Sequence, residues 1–203
     1  CQRWGNYDEI TSHDPRCLPT ILGQKGYQTT SFHAFNSNFF ERYRWYPLIG
    51  FQHMLFGRDL VKEGATICPS VFPGACDRDV PAIIRHHLDQ RSHPQFIYWL
   101  TLNSHLPIID NKQLGTSNCH QIGPQKDADF PMICRIYSIW EDTADALVSM
   151  VEKRDFPPTH ILIVGDHMPP FTHQKSRLQF NSEQVPWILL RYRGSDQKTR
   201  GQD

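Results

Sequence analysis

Apolar residues along the chain recur in two rhythms. Short continuous runs read as strands: Tyr27 to Phe32, Gln95-Phe96-Ile97-Tyr98-Trp99-Leu100-Thr101-Leu102, Thr159 to Val164 and Pro186-Trp187-Ile188-Leu189-Leu190-Arg191-Tyr192. Between them lie segments with helical spacing. Val80, Ile83, Ile84 and Leu88 predict a helix over 79–90, and Ile136, Ile139, Trp140, Ala144, Leu147, Val148 and Val151 predict a longer one over 133–151. A helix starts near Leu18, where Pro19 suits a first turn and Gly23 or Gly26 can end it. The stretch from Asn36 to Tyr46 has no clean period and reads as a short helix or ordered loop. Residues 56–81 read as an irregular excursion rich in Gly, Pro and Cys, and 108–128 as a polar loop. Strands that alternate with helices in this order predict an α/β fold with a mostly parallel sheet flanked by helices. The strand and helix pattern ends at about 192, and the polar tail 193–203 is too hydrophilic to hold structure alone.

At 203 residues the chain is long enough for one domain, which buries roughly 70% of its unfolded surface. Lys plus Arg equals Asp plus Glu at 21 each, so no global field points to nucleic acid or an anionic membrane. The apolar runs fall well short of the roughly 20 residues of a membrane helix. The opening Cys1-Gln2-Arg3-Trp4 has neither an initiator Met nor a signal sequence, which reads as an excised or mature piece of a longer protein.

The six cysteines fall as near pairs, Cys1 with Cys17, Cys68 with Cys76 and Cys119 with Cys134, although six allow about 15 connectivities. Disulfides over such short loops are worth on the order of 3 kcal/mol each in the chain-entropy model and persist in an oxidising compartment. Six free thiols in a reducing cytosol is the competing reading. No C-x-x-C occurs, so a zinc cluster of cysteines is not expected.

The chemistry concentrates where strands end. Thr159 to Val164 runs into Gly165-Asp166-His167, and the Phe96 strand into Asn103-Ser104-His105-Leu106-Pro107. Ligands of open α/β sheets collect at the carboxyl ends of the strands, and an Asp-His pair there suits Zn²⁺ or Mn²⁺. The competing reading is an Asp that braces a turn and a His bonded to a nearby carbonyl. His86 and His87 are adjacent on a helix, diverge, and read as surface residues.

Leu18-Pro19-Thr20-Ile21-Leu22, Gly26-Tyr27, Phe32-His33, Phe39-Phe40-Glu41-Arg42, Gly50-Phe51, Thr101 to Pro107 and Gly165-Asp166-His167 together resemble the alkaline phosphatase/sulfatase superfamily. The resemblance is to the lipoteichoic acid synthase-like branch of phosphoglycerol and phosphoethanolamine transferases, and to the C-terminal portion of their catalytic domain. It implies an alkaline-phosphatase-like fold over 1–192 that lacks the N-terminal strand and nucleophile segment. It implies Asp166 and His167 as ligands of a Zn or Mn cation, and His33, Arg42 and His105 as substrate-binding residues. Arg is suited to this because its planar fork holds phosphate oxygens in two places. Phe40 stands where a Trp is usual and reads as a packing or wall residue, and His173 as an additional ligand candidate.

The same resemblance implies a Thr nucleophile and an acidic ligand upstream of Cys1, since Thr11, Ser12 and Asp14 lie too close to Leu18 to replace them. No catalytic nucleophile is therefore expected in this chain, and the piece is expected to be inactive alone. The whole protein is expected to be tethered upstream to a Gram-negative inner membrane, with this domain in the periplasm. It would take a phospholipid head-group donor and an envelope glycan or lipid acceptor, and no nucleic acid. A sulfatase, a phosphodiesterase and a non-catalytic glycan- or anion-binding domain are the competing functions. The sulfatase nucleophile pattern, Cys or Ser-x-Pro-x-Arg, is not met by Cys68-Pro69-Ser70-Val71-Phe72.

Overall fold

The computed structural model describes residues 9–10, 12–90, 92–117, 119–120 and 123–194. Internal contacts group the chain into two units, 1–150 and 151–203, each taken by itself. In the first, α1 (Leu18–Gln24) leads into β1 (Gln28–His33), then a 3-10 turn (Phe39–Glu41), α2 (Arg42–Leu48), β2 (His53–Phe56) and α3 (Gly57–Lys62). The short strands β3 (Ile67–Cys68) and β4 (Gly74–Ala75) follow, then α4 (Val80–Asp89), β5 (Gln95–Leu100), α5 (Pro124–Asp129) and α6 (Pro131–Val151).

β1 is the middle of a parallel sheet ordered β2-β1-β5, with His33 opposite Phe56 on one side and Leu100 on the other. Covered on both faces, it is buried from Thr29 through His33, as expected of a parallel strand under crossover helices. The Thr29 hydroxyl inside it donates to the Gly50 carbonyl at 2.6 Å, and on α1 the Thr20 hydroxyl donates to that of Ile49 at 2.9 Å. Between α2 and β2 a core of Cys17, Tyr46, Ile49, Phe51 and Phe56 forms, with Phe96 of β5 stacked on Phe51 at 6.3 Å.

The helical periods hold over Val80–Asp89 and Pro131–Val151, and α4 buries the expected Val80, Ile83, Ile84 and Leu88. α6 is rotated from the expected face. It buries Ile133, Ile136 and Ile139, while Trp140 pairs with Tyr137 on the exposed side at 5.2 Å. The excursion over 56–81 contains α3 and the β3–β4 pair, and the loop over 108–128 contains α5. β2 is four residues long, too short for a sequence period to reveal. His87 is not a plain surface residue: its ring meets the edge of Phe32 at 5.4 Å and its Nε2 lies 2.8 Å from Glu63.

Disulfides join Cys68 to Cys76 and Cys119 to Cys134. Cys17 is also disulfide-bonded, whereas Cys1 lies outside the described residues. In the second unit, β6 (Ile161–Val164) and β7 (Trp187–Leu190) pair antiparallel and α7 (Gln174–Arg177) lies between them in sequence. No helix among the described residues is long and apolar enough to cross a membrane.

Gly50 turns the chain from α2 towards β2 with φ of +100°, and a Cβ there would stand 2.5 Å from the Thr20 nitrogen. The clash is with the backbone of α1, which cannot step aside. Gly50→Ala is expected to destabilise the first unit by about 2 kcal/mol or more, read as a lowered denaturant midpoint.

Candidate functional site

His33 closes β1 and is 2% exposed. Its Nδ1 lies 3.2 Å from the Leu100 carbonyl, which can only accept, so Nδ1 carries the proton and Nε2 a lone pair. Nε2 is buried and has no hydrogen-bond partner. Burial, reinforced by the Arg42 charge and opposed by the Leu100 carbonyl, pushes the His33 pKa down to about 4.

Arg42 opens α2 directly after an unusual turn. Phe40 and Glu41 take left-handed φ of 54° and 50°, a conformation that costs a non-glycine residue of order 1–3 kcal/mol. The turn is held from both sides: Asn36 Oδ1 accepts from the Asn38 and Phe39 amides, and the Trp45 indole donates to the Phe40 carbonyl at 2.8 Å. Arg42 itself donates through Nη1 to the Phe39 carbonyl at 2.9 Å. Its guanidinium lies over the Phe39 and Phe40 rings, 5.4 and 5.2 Å from their centroids. Arg42 is 8% exposed, and its buried Nε has no partner.

The aromatic contacts continue from there. Phe39 meets Phe35 at 5.1 Å and Phe72 at 5.1 Å, and Phe72 meets the His105 ring edge-on at 4.6 Å. Arg42 and His105 are thus linked through one aromatic cluster. His105 is exposed, with Nδ1 2.8 Å from the Leu106 carbonyl, which again assigns the proton to Nδ1 and leaves Nε2 as an acceptor.

Beneath the His105 segment lies a brace that the sequence does not announce. The Asp77 carboxylate, 1% exposed, accepts the Leu102 amide at 2.8 Å and the Asn103 amide at 2.6 Å. Asn103 Oδ1 returns the bond by accepting from the Asp77 amide at 2.7 Å. Burial pushes the Asp77 pKa up to about 7, against the pull of these amides. Read linearly, Asp77 is only an acidic residue ahead of a helix.

In the second unit Asp166 and His167 follow β6 on an exposed turn, where Gly165 donates its amide to the Pro186 carbonyl at 2.9 Å. His167 Nδ1 is 2.8 Å from the Met168 carbonyl, so its Nε2 lone pair faces Asp166 Oδ2 at 3.4 Å. Two acceptors so close, each with a lone pair to share, fit a common cation. His173 is exposed and stands at the N-cap of α7. The atoms of Cys119, Asp127 and Cys134 also cluster, but the two sulfurs are bonded to each other and offer no thiolates.

The sequence matches the family described as Sulfatase over residues 4–200. The chain belongs to that family. Its fold is shared with the lipoteichoic acid synthase LtaP from Listeria monocytogenes, at 15% identity and a TM-score of 0.67, over 87% of this chain and 46% of that one. Similar too are a protein in the alkaline phosphatase superfamily from Vibrio parahaemolyticus, at 15% and 0.60 over 85% and 40%, and the Streptococcus pyogenes phosphoglycerol transferase GacH. The last, solved with sn-glycerol-1-phosphate, is 16% identical with a TM-score of 0.60, over 93% of this chain and 49% of that one. The chain thus spans about half the length of these solved structures. A search of curated proteins by sequence finds no match.

The two shifted groups act on stability in opposite senses. His33 has a folded pKa below its ordinary 6.5, so its contribution is present at neutral pH and is lost as pH falls towards about 4. Asp77 has a folded pKa above its ordinary 3.8, so its contribution is present in acid and is lost as pH rises towards about 7. Over their shared window the slopes offset. Asp77→Asn is expected to expose the His33 limb, with stability rising on the order of 1 kcal/mol per pH unit between about pH 4.5 and 6.5. His33→Gln should leave a slope of opposite sign, and urea titrations at several pH values check both.

Proposed function

We propose that this chain is part of a metal-dependent phosphotransferase of the lipoteichoic acid synthase-like branch, and that His33 and Arg42 read the head group of its substrate. One observation carries the reading: His33 Nε2, at the end of the central strand, and Arg42 Nε, at the start of α2, are both buried without partners. A buried guanidinium without a carboxylate is costly unless an anion completes it, and a phosphate oxygen suits its fork. The His33 lone pair calls for a donor, which a hydroxyl supplies. An ammonium would also donate but would face the Arg42 charge, so the pair favours phosphoglycerol over phosphoethanolamine. Phe40, half exposed over the Arg42 guanidinium, forms a wall for that head group, and His105 Nε2 is an acceptor for a hydroxyl proton of the reacting partner.

Asp166 and His167, with His173 as a further candidate, are the proposed ligands of a zinc or manganese ion. Such an ion supplies Lewis-acid stabilisation of phosphoryl oxygens and activation of a hydroxyl nucleophile. We assign the nucleophile to a threonine outside these 203 residues and read 1–192 as one partial sulfatase-like catalytic domain, with 193–203 as its tail. A catalytic zinc site uses three protein ligands, so this chain alone is expected to be inactive. The donor is proposed to be a phospholipid and the acceptor an envelope glycan or lipid. The disulfides support an oxidising compartment, here the periplasmic face of a Gram-negative inner membrane reached by a tether outside this sequence.

The match to Sulfatase favours one second reading, hydrolysis of sulfate or phosphodiesters, because a guanidinium holds sulfate as it holds phosphate. Titration of the chain with sn-glycerol-1-phosphate and with inorganic sulfate separates the two. The glycerol phosphate is expected to bind more tightly, and Arg42→Ala to weaken it roughly 10- to 100-fold, the worth of charge-assisted hydrogen bonds. Equal binding of sulfate favours the hydrolase, and binding indifferent to Arg42→Ala overturns the site. Metal content of a longer chain that includes the remainder of the domain should fall on Asp166→Ala or His167→Ala; unchanged content removes those ligands from the proposal.

A further inference from the structure

Two of the contacts on the His105 segment come from one small loop and the residue directly after it. β3 and β4 pair over only two residues each, Ile67 with Ala75 and Cys68 with Gly74, too little ladder to define a hairpin alone. The Cys68–Cys76 disulfide closes this pair, and both cysteines are buried. Within the loop the Ser70 hydroxyl donates to the Phe72 carbonyl at 2.6 Å, fixing the turn that presents Phe72. The Phe72 ring touches Phe35 and Phe39 on one side and His105 on the other. Immediately after Cys76 comes Asp77, whose carboxylate accepts the Leu102 and Asn103 amides. β4 also lies hard against the end of β1: the Ala75 amide donates to the Ala34 carbonyl at 2.9 Å, and a Cβ on Gly74 would stand 2.3 Å from that oxygen.

We propose that the Cys68–Cys76 loop is the positioning element of the candidate site, holding His105 between Phe72 and the Asp77 brace so that its Nε2 keeps a set place relative to the Phe39–Arg42 block. Phe72 and Asp77 are positioning residues, since they act through His105. Phe72 meets the His105 ring, and Asp77 holds the backbone at Leu102 and Asn103 just ahead of it. Both contacts are far from residues 102–105 in sequence, and the disulfide closes the loop that carries Phe72 and ends one residue before Asp77. Opening it frees Phe72 to leave the aromatic cluster and Asp77 to leave the amides. The functional meaning of that placement rests on the reading of His105 as a substrate-facing residue; the placement itself does not.

The test uses the imidazole nitrogens of the 203-residue chain, observed by proton–nitrogen NMR, which reports which ring nitrogen carries the proton. In the unaltered chain His33 and His105 should both show the Nδ1–H tautomer. With Cys68→Ser and Cys76→Ser together, His33 should keep it, while His105 should move to the Nε2–H form that an unconstrained imidazole favours. Affinity for sn-glycerol-1-phosphate should fall on the order of tenfold, as for other small misplacements of a binding group. An unchanged His105 tautomer beside an intact His33 signal overturns the proposal. Should the double variant fail to fold, seen as loss of the His33 signature, Phe72→Leu keeps the disulfide and decides by the same comparison: release of His105 supports the loop's role, and no change overturns it. If glycerol phosphate perturbs neither histidine of the unaltered chain, the substrate reading falls, and the tautomer comparison still decides the positioning.

Discussion

The burial of β1 on both faces is the constraint on which the first unit depends. A central parallel strand must satisfy its backbone laterally and cover its side chains above and below, and β2, β5 and the helices do this from Thr29 to His33. Thr29, a polar residue it carries into the interior, is satisfied by the Gly50 carbonyl on its hydroxyl and the Gln52 side-chain oxygen on its amide. His33 extends the same burial by one residue to the strand's carboxyl end. There the register sets its ring beside the Leu100 carbonyl, which fixes the tautomer, and low polarity keeps the ring neutral. A single packing requirement therefore determines the position, protonation and hydrogen-bonding sense of one site residue.

Arg42 is placed by a different economy. A charged guanidinium is drawn under cover by two phenyl rings and one carbonyl, on a turn whose two left-handed residues would be unfavourable in isolation. Strain and unpaired polar atoms gathered at one strand end are unusual in a structural core and common where a ligand completes the site. The aromatic cluster carries that local order on to His105, which is itself exposed and relies on Phe72 and Asp77 for its place. In the second unit the same logic recurs on a smaller scale: a carbonyl fixes the proton on His167, and its free nitrogen faces Asp166.

Much of this was legible along the chain. Helical periods located α4 and α6, apolar runs located β1, β5, β6 and β7, and the Gly165-Asp166-His167 and Phe32-His33 junctions marked strand ends rich in chemistry. What the linear pattern hid was short or non-local. β2, β3 and β4 have too few residues to show a period, and the second unit's strands pair antiparallel although an alternating pattern suggested parallel neighbours. The outward turn of Trp140 on α6 shows the same limit, since apolar spacing alone does not say which of the apolar residues reach the core.

The sequence by itself determined the chemical inventory and the order of the elements: histidines and an Asp-His pair after apolar strands, an arginine after a short aromatic stretch, and cysteines in near pairs. These are local properties, written in residue type and spacing. Only the tertiary structure decided which groups are buried without partners, which histidine nitrogen is free, and that Asp77 and Phe72 support a segment some thirty residues away. Those facts depend on desolvation and on hydrogen bonds between distant segments, and neither exists until the strands have paired and excluded water.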